Sequence, residues 1–165
     1  MSKTMENLQS AFAGESQANR KYLAYAQKAE DEGYPQIAKL FRAVATAETI
    51  HAHNHLRIMG EIKSTAENLQ AAIDGENHEV ISMYPDFIKA AESEAEKKAL
   101  TSFRWAWEVE KVHEGLFRDA LKNLGEEAAE FEVYVCPVCG HTHIGLPPEK
   151  CPVCGTPGKR YEKIE

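Results

Sequence analysis

Apolar residues recur at spacings of three and four through the first 125 positions of the chain, which is the pattern of amphipathic helices. Glycine and proline interrupt this pattern at residues 33–35, at residues 60–65 and at Gly125. A proline at position 85 lies inside one of the periodic segments and predicts a kink there. We therefore predict four helices, near residues 4–31, 36–60, 66–95 and 97–124.

The last part of the chain has a different character. Short β-branched pieces, FEVYVC and KRYEKI, flank a stretch rich in proline, glycine and cysteine, and they predict a small β module. Residues 126–130 form the expected linker. The sequence thus divides into a helical domain at residues 1–130 and a small domain at residues 131–165.

The helical part contains an internal repeat. Ala11–Ser16 matches Ala72–Asn77, and Phe41–His51 matches Phe103–His113 at almost the same offset along the chain. Two similar helical hairpins are therefore expected. Packed together, they predict a mainly α fold, a four-helix bundle carrying a small C-terminal β module.

Each predicted helix places one glutamate on its apolar face. A single glutamate there is usually a solvated rim residue. Burying an ionised carboxylate in an apolar core costs a desolvation free energy on the order of several kcal/mol. No Lys or Arg on these faces compensates the four charges. Bound divalent metals would neutralise them. The four are Glu15, Glu48, Glu76 and Glu110.

Two Glu-x-x-His spacings supply nitrogen ligands beside these carboxylates. Glu48-x-x-His51 and Glu110-x-x-His113 occupy equivalent positions in the repeat, and residues i and i+3 of a helix can reach one metal ion. Two further histidines follow closely. His53 points away from the apolar face and is predicted at the surface, whereas His55 lies on that face as a core residue or as a neighbour of the ligands.

Glu79 breaks the repeat, because it corresponds to Ala18 in the first hairpin. It is either a solvated charge or an additional oxygen ligand for one metal ion only. Trp105 and Trp107 also lack clear counterparts, and we interpret them as packing residues.

The four cysteines form two identical CPVCG motifs with eleven residues between them. This arrangement is typical of a tetrahedral metal site, and the ligands would be Cys136, Cys139, Cys151 and Cys154. Zinc would make the module structural, and iron would make it a one-electron carrier. The motif alone does not choose between them, but its attachment to a dimetal domain with redox chemistry favours iron.

Charge and composition exclude several classes of function. The net charge is -7, and the acidic excess lies in residues 1–130, so a nucleic-acid partner is not expected. No segment has the pattern of a signal peptide or reaches the length of a membrane span. We expect a cytoplasmic protein without membrane partners, in which the cysteines bind metal rather than form disulfides.

Taken together, AFAGES, AETIH, GENHE, MYP, VEKVHE and the paired CPVCG motifs resemble the rubrerythrin family, in which a ferritin-like di-iron domain precedes a rubredoxin-like domain. The resemblance implies a non-haem di-iron centre and a mononuclear iron with four cysteine ligands. It also implies that His51 is exchanged for Glu79 as the iron pair is oxidised. The implied di-iron ligands are Glu15, Glu48, His51, Glu76, Glu79, Glu110 and His113.

The resemblance further implies a peroxidase that reduces hydrogen peroxide to water in oxidative stress protection. Catalytic roles fall on His51, Glu79 and the hydrogen-bonding tyrosines Tyr22 and Tyr84. The expected electron donor is reduced rubredoxin or an NAD(P)H-dependent reductase. A 35-residue tail is short for folding back onto its own helices, so a homodimer or higher homo-oligomer of the family's head-to-tail kind is expected.

Two alternatives remain open. A ferritin-like protein could use the same dimetal site for iron oxidation or storage. A zinc ribbon on a structural bundle would be a docking protein without enzymatic activity.

The family also often has tyrosine after the first CPVCG motif, where this chain has His141.

Overall fold

In the computed structural model, which describes residues 2–126 and 130–165, two long antiparallel helices form the first hairpin. Helix α1 spans Lys3–Asp31 and helix α2 spans Pro35–Met59. The Ser2 hydroxyl caps α1 by accepting a hydrogen bond from the Met5 amide. Helix α2 begins at a proline, which needs no amide partner there, and ends at Gly60 in the left-handed conformation.

Small residues bring α1 and α2 close together. Ala38, Ala45 and Ala52 are buried at intervals of seven along α2, which is the spacing of a coiled-coil seam. The buried Asn19 of α1 crosses this contact, and its amide donates to the Ala45 carbonyl and to the Thr49 hydroxyl at 2.7 and 2.8 Å. This pairing satisfies a buried polar group and fixes the alignment of the two helices.

The second hairpin is interrupted where the first is continuous. Helix α3 (Thr65–His78) is followed by a π-helical turn (Glu79–Met83), by helix α4 (Tyr84–Ser93) and by helix α5 (Lys97–Lys122). A capping box of Ser64 and Glu67 starts α3. The irregularity expected at Pro85 is therefore a π turn directly before it, and Pro85 lies in the first turn of α4.

The repeat seen in the sequence is confirmed in the packing. The ring pairs Tyr22–Phe41 and Tyr84–Phe103 have centroid distances of 6.1 and 6.4 Å, and Tyr25–Phe41 and Phe87–Phe103 both have 5.6 Å. The ion pairs Arg42–Glu30 and Arg104–Glu92 both measure 2.6 Å.

The position of the π turn explains a small change of offset within the repeat. Ser16 corresponds to Asn77 and Glu30 corresponds to Glu92, so the second hairpin holds one more residue than the first between these positions. The π turn Glu79–Met83 lies in that interval, and a π turn is the way a helix accommodates one extra residue.

The C-terminal module is a three-stranded antiparallel sheet with the strand order β2-β1-β3. The strands are β1 (Val133–Val135), β2 (Thr142–Ile144) and β3 (Glu162–Ile164), and a short 3-10 helix covers Gly158–Arg160. Val133 pairs with Ile144 and with Ile164. The two outer segments of the prediction are confirmed, whereas β2 was missed. The predicted linker at residues 126–130 lies partly outside the described residues.

The chain divides by packing into two units, Met1–Lys63 and Ser64–Glu165. The second unit contains the second hairpin together with the β module, and β2 contacts α5. The expectation that the tail is too short to fold back onto its own helices is therefore wrong for α5. The mainly α fold with a small C-terminal β module is confirmed. Among the described residues, no helix combines the length and apolar character that crossing a membrane requires.

Candidate metal centres

The first hairpin brings together three of the predicted ligands. Glu15 comes from α1, and Glu48 and His51 come from successive turns of α2; one ligand atom of each lies within 4.8 Å of the others. The Nδ1 atom of His51 lies 2.9 Å from a Glu48 oxygen and 4.0 Å from a Glu15 oxygen. The His51 side chain is 54% exposed.

The second hairpin repeats this cluster in a more enclosed form. Glu76 of α3 meets Glu110 and His113 of α5, again with ligand atoms within 4.8 Å. The Nδ1 atom of His113 lies 2.7 Å from Glu110 and 3.9 Å from Glu76. The His113 side chain is only 25% exposed. The helical spacing thus brings together the glutamate and the histidine of each Glu-x-x-His pair, because i and i+3 side chains share a face.

The electrostatics of the second cluster fit a bound cation. Burial, together with the neighbouring Glu110 carboxylate, raises the pKa of Glu76 from 4.5 to about 7. The hydrogen bond to Glu110 raises the pKa of His113, because the carboxylate favours the charged imidazole. Two carboxyl groups that crowd each other in this way are stabilised when a cation replaces the proton between them.

Glu79 lies beside the second cluster, at the start of the π turn. Burial and then the nearby Glu110 carboxylate raise the pKa of Glu79. Burial and the same carboxylates also raise the pKa of Tyr84. Glu79 is not one of the three close ligands, so the structure places it next to the cluster, as an added carboxylate of one half only.

Trp107 holds the π turn, a role that the packing interpretation missed. Its indole N–H donates to the Val80 carbonyl at 2.8 Å, and Lys111 lies over its ring at 3.4 Å from the centroid. The equivalent positions of the first hairpin are Asn19 and Ala45. There the side chain of the first helix donates to a carbonyl of the second helix, so donor and acceptor are exchanged. Two features of the sequence could have revealed this contact. The second hairpin has one extra residue, and it has a tryptophan that the first hairpin lacks.

The other predicted residues of the first hairpin, one tyrosine and two histidines, are not among the three close ligands. Tyr22 packs against Tyr25 and Phe41 on the stripe that carries Glu15. His53 is exposed, as predicted. His55 is partly buried, and its Nδ1 atom is buried without a hydrogen-bond partner among the described residues. His55 is therefore separate from the close ligands, in agreement with its interpretation as a core residue or neighbour.

The four cysteines converge on one point of the β module. The sulfurs of Cys136 and Cys154 are 3.7 Å apart, and those of Cys139 and Cys151 are 3.5 Å apart. A tetrahedral ion with metal–sulfur bonds of about 2.3 Å places its sulfurs about 3.8 Å from one another. All four thiols are free, so the observed spacing fits a mononuclear metal ion and not a pair of disulfides.

Hydrogen bonds favour the thiolate form at Cys151, whereas burial raises the pKa of the Cys139 thiol. Burial raises the pKa of Cys151, but hydrogen bonds from the Tyr161 hydroxyl and from two backbone amides outweigh it and lower the value to about 6. The amides belong to Cys154 and Val153 of the second motif. His141, the departure from the family pattern, is buried, and its Nδ1 atom lies 3.0 Å from the Tyr161 hydroxyl.

The first cysteine motif lies directly against the second ligand cluster. The Nε2 atom of His113 is 3.0 Å from the Thr142 hydroxyl oxygen, and the Thr142 hydroxyl donates to the Gly140 carbonyl at 3.2 Å. Gly140 has φ +83°, and a β-carbon there would lie 4.0 Å from the buried Val109 of α5. One end of His113 thus faces the carboxylates and the other faces the four-cysteine module.

Comparisons with known proteins agree with these two kinds of site. The family model described as Rubrerythrin matches residues 6–121, and the model described as Rubrerythrin, rubredoxin-like domain, matches residues 134–162. The chain belongs to the rubrerythrin family. Rubrerythrin-2 of Clostridium acetobutylicum is 38% identical to it, with 96% of this chain and 95% of the relative covered.

Nigerythrin is a second relative of this rubrerythrin family member. The protein from Nitratidesulfovibrio vulgaris is 36% identical, with 93% of this chain and 83% of the relative covered. A structure of fully reduced, all-ferrous nigerythrin has a TM-score of 0.61 at 34% identity and covers 99% of this chain and 88% of that one. These matches confirm the predicted ferritin-like fold class with its rubredoxin-like module. They also support iron as the metal, in a carboxylate–histidine di-iron centre and in a four-cysteine site.

Proposed function

We propose that this protein is a non-haem di-iron peroxidase that reduces hydrogen peroxide to water and protects the cell against oxidative stress. The observation that carries the proposal is the direct contact between the four-cysteine module and a carboxylate–histidine cluster, through His113 and Thr142. A zinc ribbon that served only for docking would have no need to lie against a metal ligand. A module that delivers electrons gains from this position.

The ligand set matches the chemistry that the proposal needs. The two clusters offer four carboxylates and two imidazoles, which is the donor set of di-iron carboxylate proteins. When bound, a ferrous pair supplies the two electrons that, with two protons, convert one hydrogen peroxide into two waters. The protein's own residues would bind the ions and donate these protons.

Glu79 is the best-placed proton carrier. Its pKa is raised above that of an ordinary glutamate, so a larger fraction of it is protonated near neutral pH than of a solvated carboxyl group. Tyr84 lies among the same carboxylates, and its own pKa is raised, so its hydroxyl remains a hydrogen-bond donor. We propose that Glu79 donates a proton to the departing oxygen and that Tyr84 orients it, with Tyr22 as the corresponding group of the first hairpin.

Several further features belong to this proposal. The domains are residues 1–130 and 131–165, supported by family matches to 6–121 and 134–162. The electron donor is reduced rubredoxin or an NAD(P)H-dependent reductase, which passes electrons to the four-cysteine iron. The protein is cytoplasmic, in keeping with four free thiols, and forms a homodimer or higher homo-oligomer. The β module contacts α5 of its own chain, so this contact does not require a second subunit. The proposed oligomer is based on the family resemblance alone.

The proposal is tested by mixing the fully reduced, iron-loaded protein with hydrogen peroxide or with dioxygen in a stopped-flow spectrometer. A peroxidase oxidises faster with peroxide and consumes one peroxide for each pair of ferrous ions. Faster oxidation by dioxygen, with ferric iron retained in growing amounts, would instead show an iron-oxidising protein of the ferritin type. A colourless protein that contains zinc and no iron would contradict both.

A further inference from the structure

Thr142 occupies an unusual position for a residue of a metal-binding β module. It lies on β2, one residue after the buried His141, and its hydroxyl oxygen is 3.0 Å from Nε2 of His113 on α5. It therefore belongs to one metal-binding module while contacting a candidate ligand of the other. This contact has no counterpart at His51, whose Nε2 has no hydrogen-bond partner among the described residues.

The direction of the hydrogen bonds around Thr142 follows from its single proton. The Thr142 hydroxyl donates to the Gly140 carbonyl at 3.2 Å, so its oxygen is left as an acceptor. The Gly140 carbonyl also lies within hydrogen-bonding reach of the His113 ring. Both groups near Nε2 accept hydrogen bonds, and they favour a proton on Nε2.

A proton on Nε2 has a direct consequence for the other ring nitrogen. In the neutral imidazole only one nitrogen carries hydrogen, so Nδ1 presents its lone pair. Nδ1 is the atom that faces Glu76 and Glu110; without metal it donates a proton to Glu110 at 2.7 Å, and a bound metal ion would take the place of that proton. Histidine ligands of metals commonly donate their second N–H to a fixed acceptor, which sets the ring orientation and increases the basicity of the ligand nitrogen.

We propose that Thr142 is a positioning residue for the di-iron centre: its hydroxyl holds His113 with Nε2–H outward and Nδ1 toward the metal, so the four-cysteine module completes the ligand environment of α5 in its own chain. The proposal rests on the proposed function only for the identity of the bound iron. It extends that function because the electron-carrying module also controls the geometry of a ligand.

The proposal predicts a spectroscopic difference between the two histidine ligands. In the full chain loaded with ferrous iron under anaerobic conditions, each ligand imidazole has one N–H proton whose NMR signal is shifted by the paramagnetic iron and exchanges with water. The His113 signal is expected to exchange slowly, because Thr142 accepts its hydrogen bond and β2 covers it. The His51 signal is expected to exchange rapidly, because that ring is 54% exposed.

The decisive variants are Thr142→Val and Thr142→Ser. Valine keeps the shape and suits a β-strand but removes the acceptor, and we expect exchange of the slow signal to accelerate about tenfold. Serine keeps the hydroxyl and should retain slow exchange. Thr101→Val, at an exposed position of α5 three turns earlier, is the matched control and should change neither signal.

Two outcomes would overturn the proposal. An unchanged slow signal in Thr142→Val would show that the hydroxyl does not hold His113. Equal acceleration in Thr142→Val and Thr142→Ser would show that the contact is only packing. Neither outcome affects the proposed function, which depends on the reaction of the wild-type protein with peroxide and would fail separately if that reaction were absent.

Discussion

The two helical hairpins have the same scaffold but carry their ligands in different surroundings. Both present two glutamates and one histidine, and both support them with the same aromatic and ion-pair contacts. The second hairpin has three additions: a π turn with Glu79, a tryptophan that holds this turn, and the β module over His113. The cluster of the first hairpin is thus open, and the cluster of the second is enclosed by these additions.

The two histidines are held to different degrees. His113 is held from both sides, by Glu110 at Nδ1 and by Thr142 at Nε2. His51 is held from one side, by Glu48, and is largely exposed. Within its own hairpin, His51 is therefore the less restrained of the two histidines.

The largest effect is expected from removal of that added carboxylate. Glu79→Ala should slow peroxide turnover about 100-fold, because a positioned general acid contributes roughly 10²–10⁴ in rate. The fold and the helical content should be retained, since the first hairpin has alanine at the equivalent position. Steady-state peroxide consumption measures the effect, and Glu94→Ala at an exposed position is the control. Unchanged turnover would remove Glu79 from the mechanism.

The pH dependence of stability is the next largest effect. In the metal-free protein the pKa of Glu76 is about 7, compared with 4.5 for an ordinary glutamate, so the folded state binds more protons between these values. The free energy of unfolding should therefore fall by roughly 1–2 kcal/mol as the pH rises through this window, after allowance for screening by water. The raised pKa of His113 acts in the same direction at higher pH.

Denaturant unfolding of the metal-free protein at a series of pH values measures this slope. Glu76→Gln should reduce it, because the glutamine does not titrate. Iron-loaded protein should behave in the opposite way, because metal binding releases protons and is weakened by acid. A metal-free protein whose stability rises with pH from 4.5 to 7 would contradict the crowding of Glu76 and Glu110.

A smaller effect is expected at the tryptophan that holds the π turn. Trp107→Phe removes the hydrogen bond to the Val80 carbonyl and should cost about 1 kcal/mol of unfolding free energy. Peroxide turnover should also fall, because Glu79 begins this turn. Trp105→Phe, on the same helix, is the matched control. Equal losses in the two variants would show that Trp107 acts by packing alone.

The smallest effect concerns the two turns that join the helices of each hairpin. Gly33 has φ 81°, and its counterpart Ala95 has φ 57°, which alanine adopts at a cost. Ala95→Gly should therefore stabilise the protein by about 0.5–1 kcal/mol, and Gly33→Ala should destabilise it by about as much. Thermal unfolding of both variants tests the pair, and a destabilised Ala95→Gly protein would show that the strain is absent.

Much of the fold and of the ligand set could be predicted because both depend on short-range periodicity. The i and i+3 spacing determines that Glu48 and His51 share a face, and the CPVCG motifs determine that their thiols converge. The π turn was visible only as a one-residue change in the repeat offset. The contact of Thr142 with His113 joins residues 29 positions apart and depends on tertiary packing, which no local pattern reports.

Anomalous diffraction at the iron edge, on crystals of the fully reduced and anaerobically loaded protein, tests the account most directly. The predicted result is iron at Glu15, Glu48 and His51, iron at Glu76, Glu110 and His113 with Nδ1 as the ligand atom, and a single iron among the four cysteine sulfurs. Iron confined to the cysteines, with the glutamates of both clusters turned toward solvent, would contradict it.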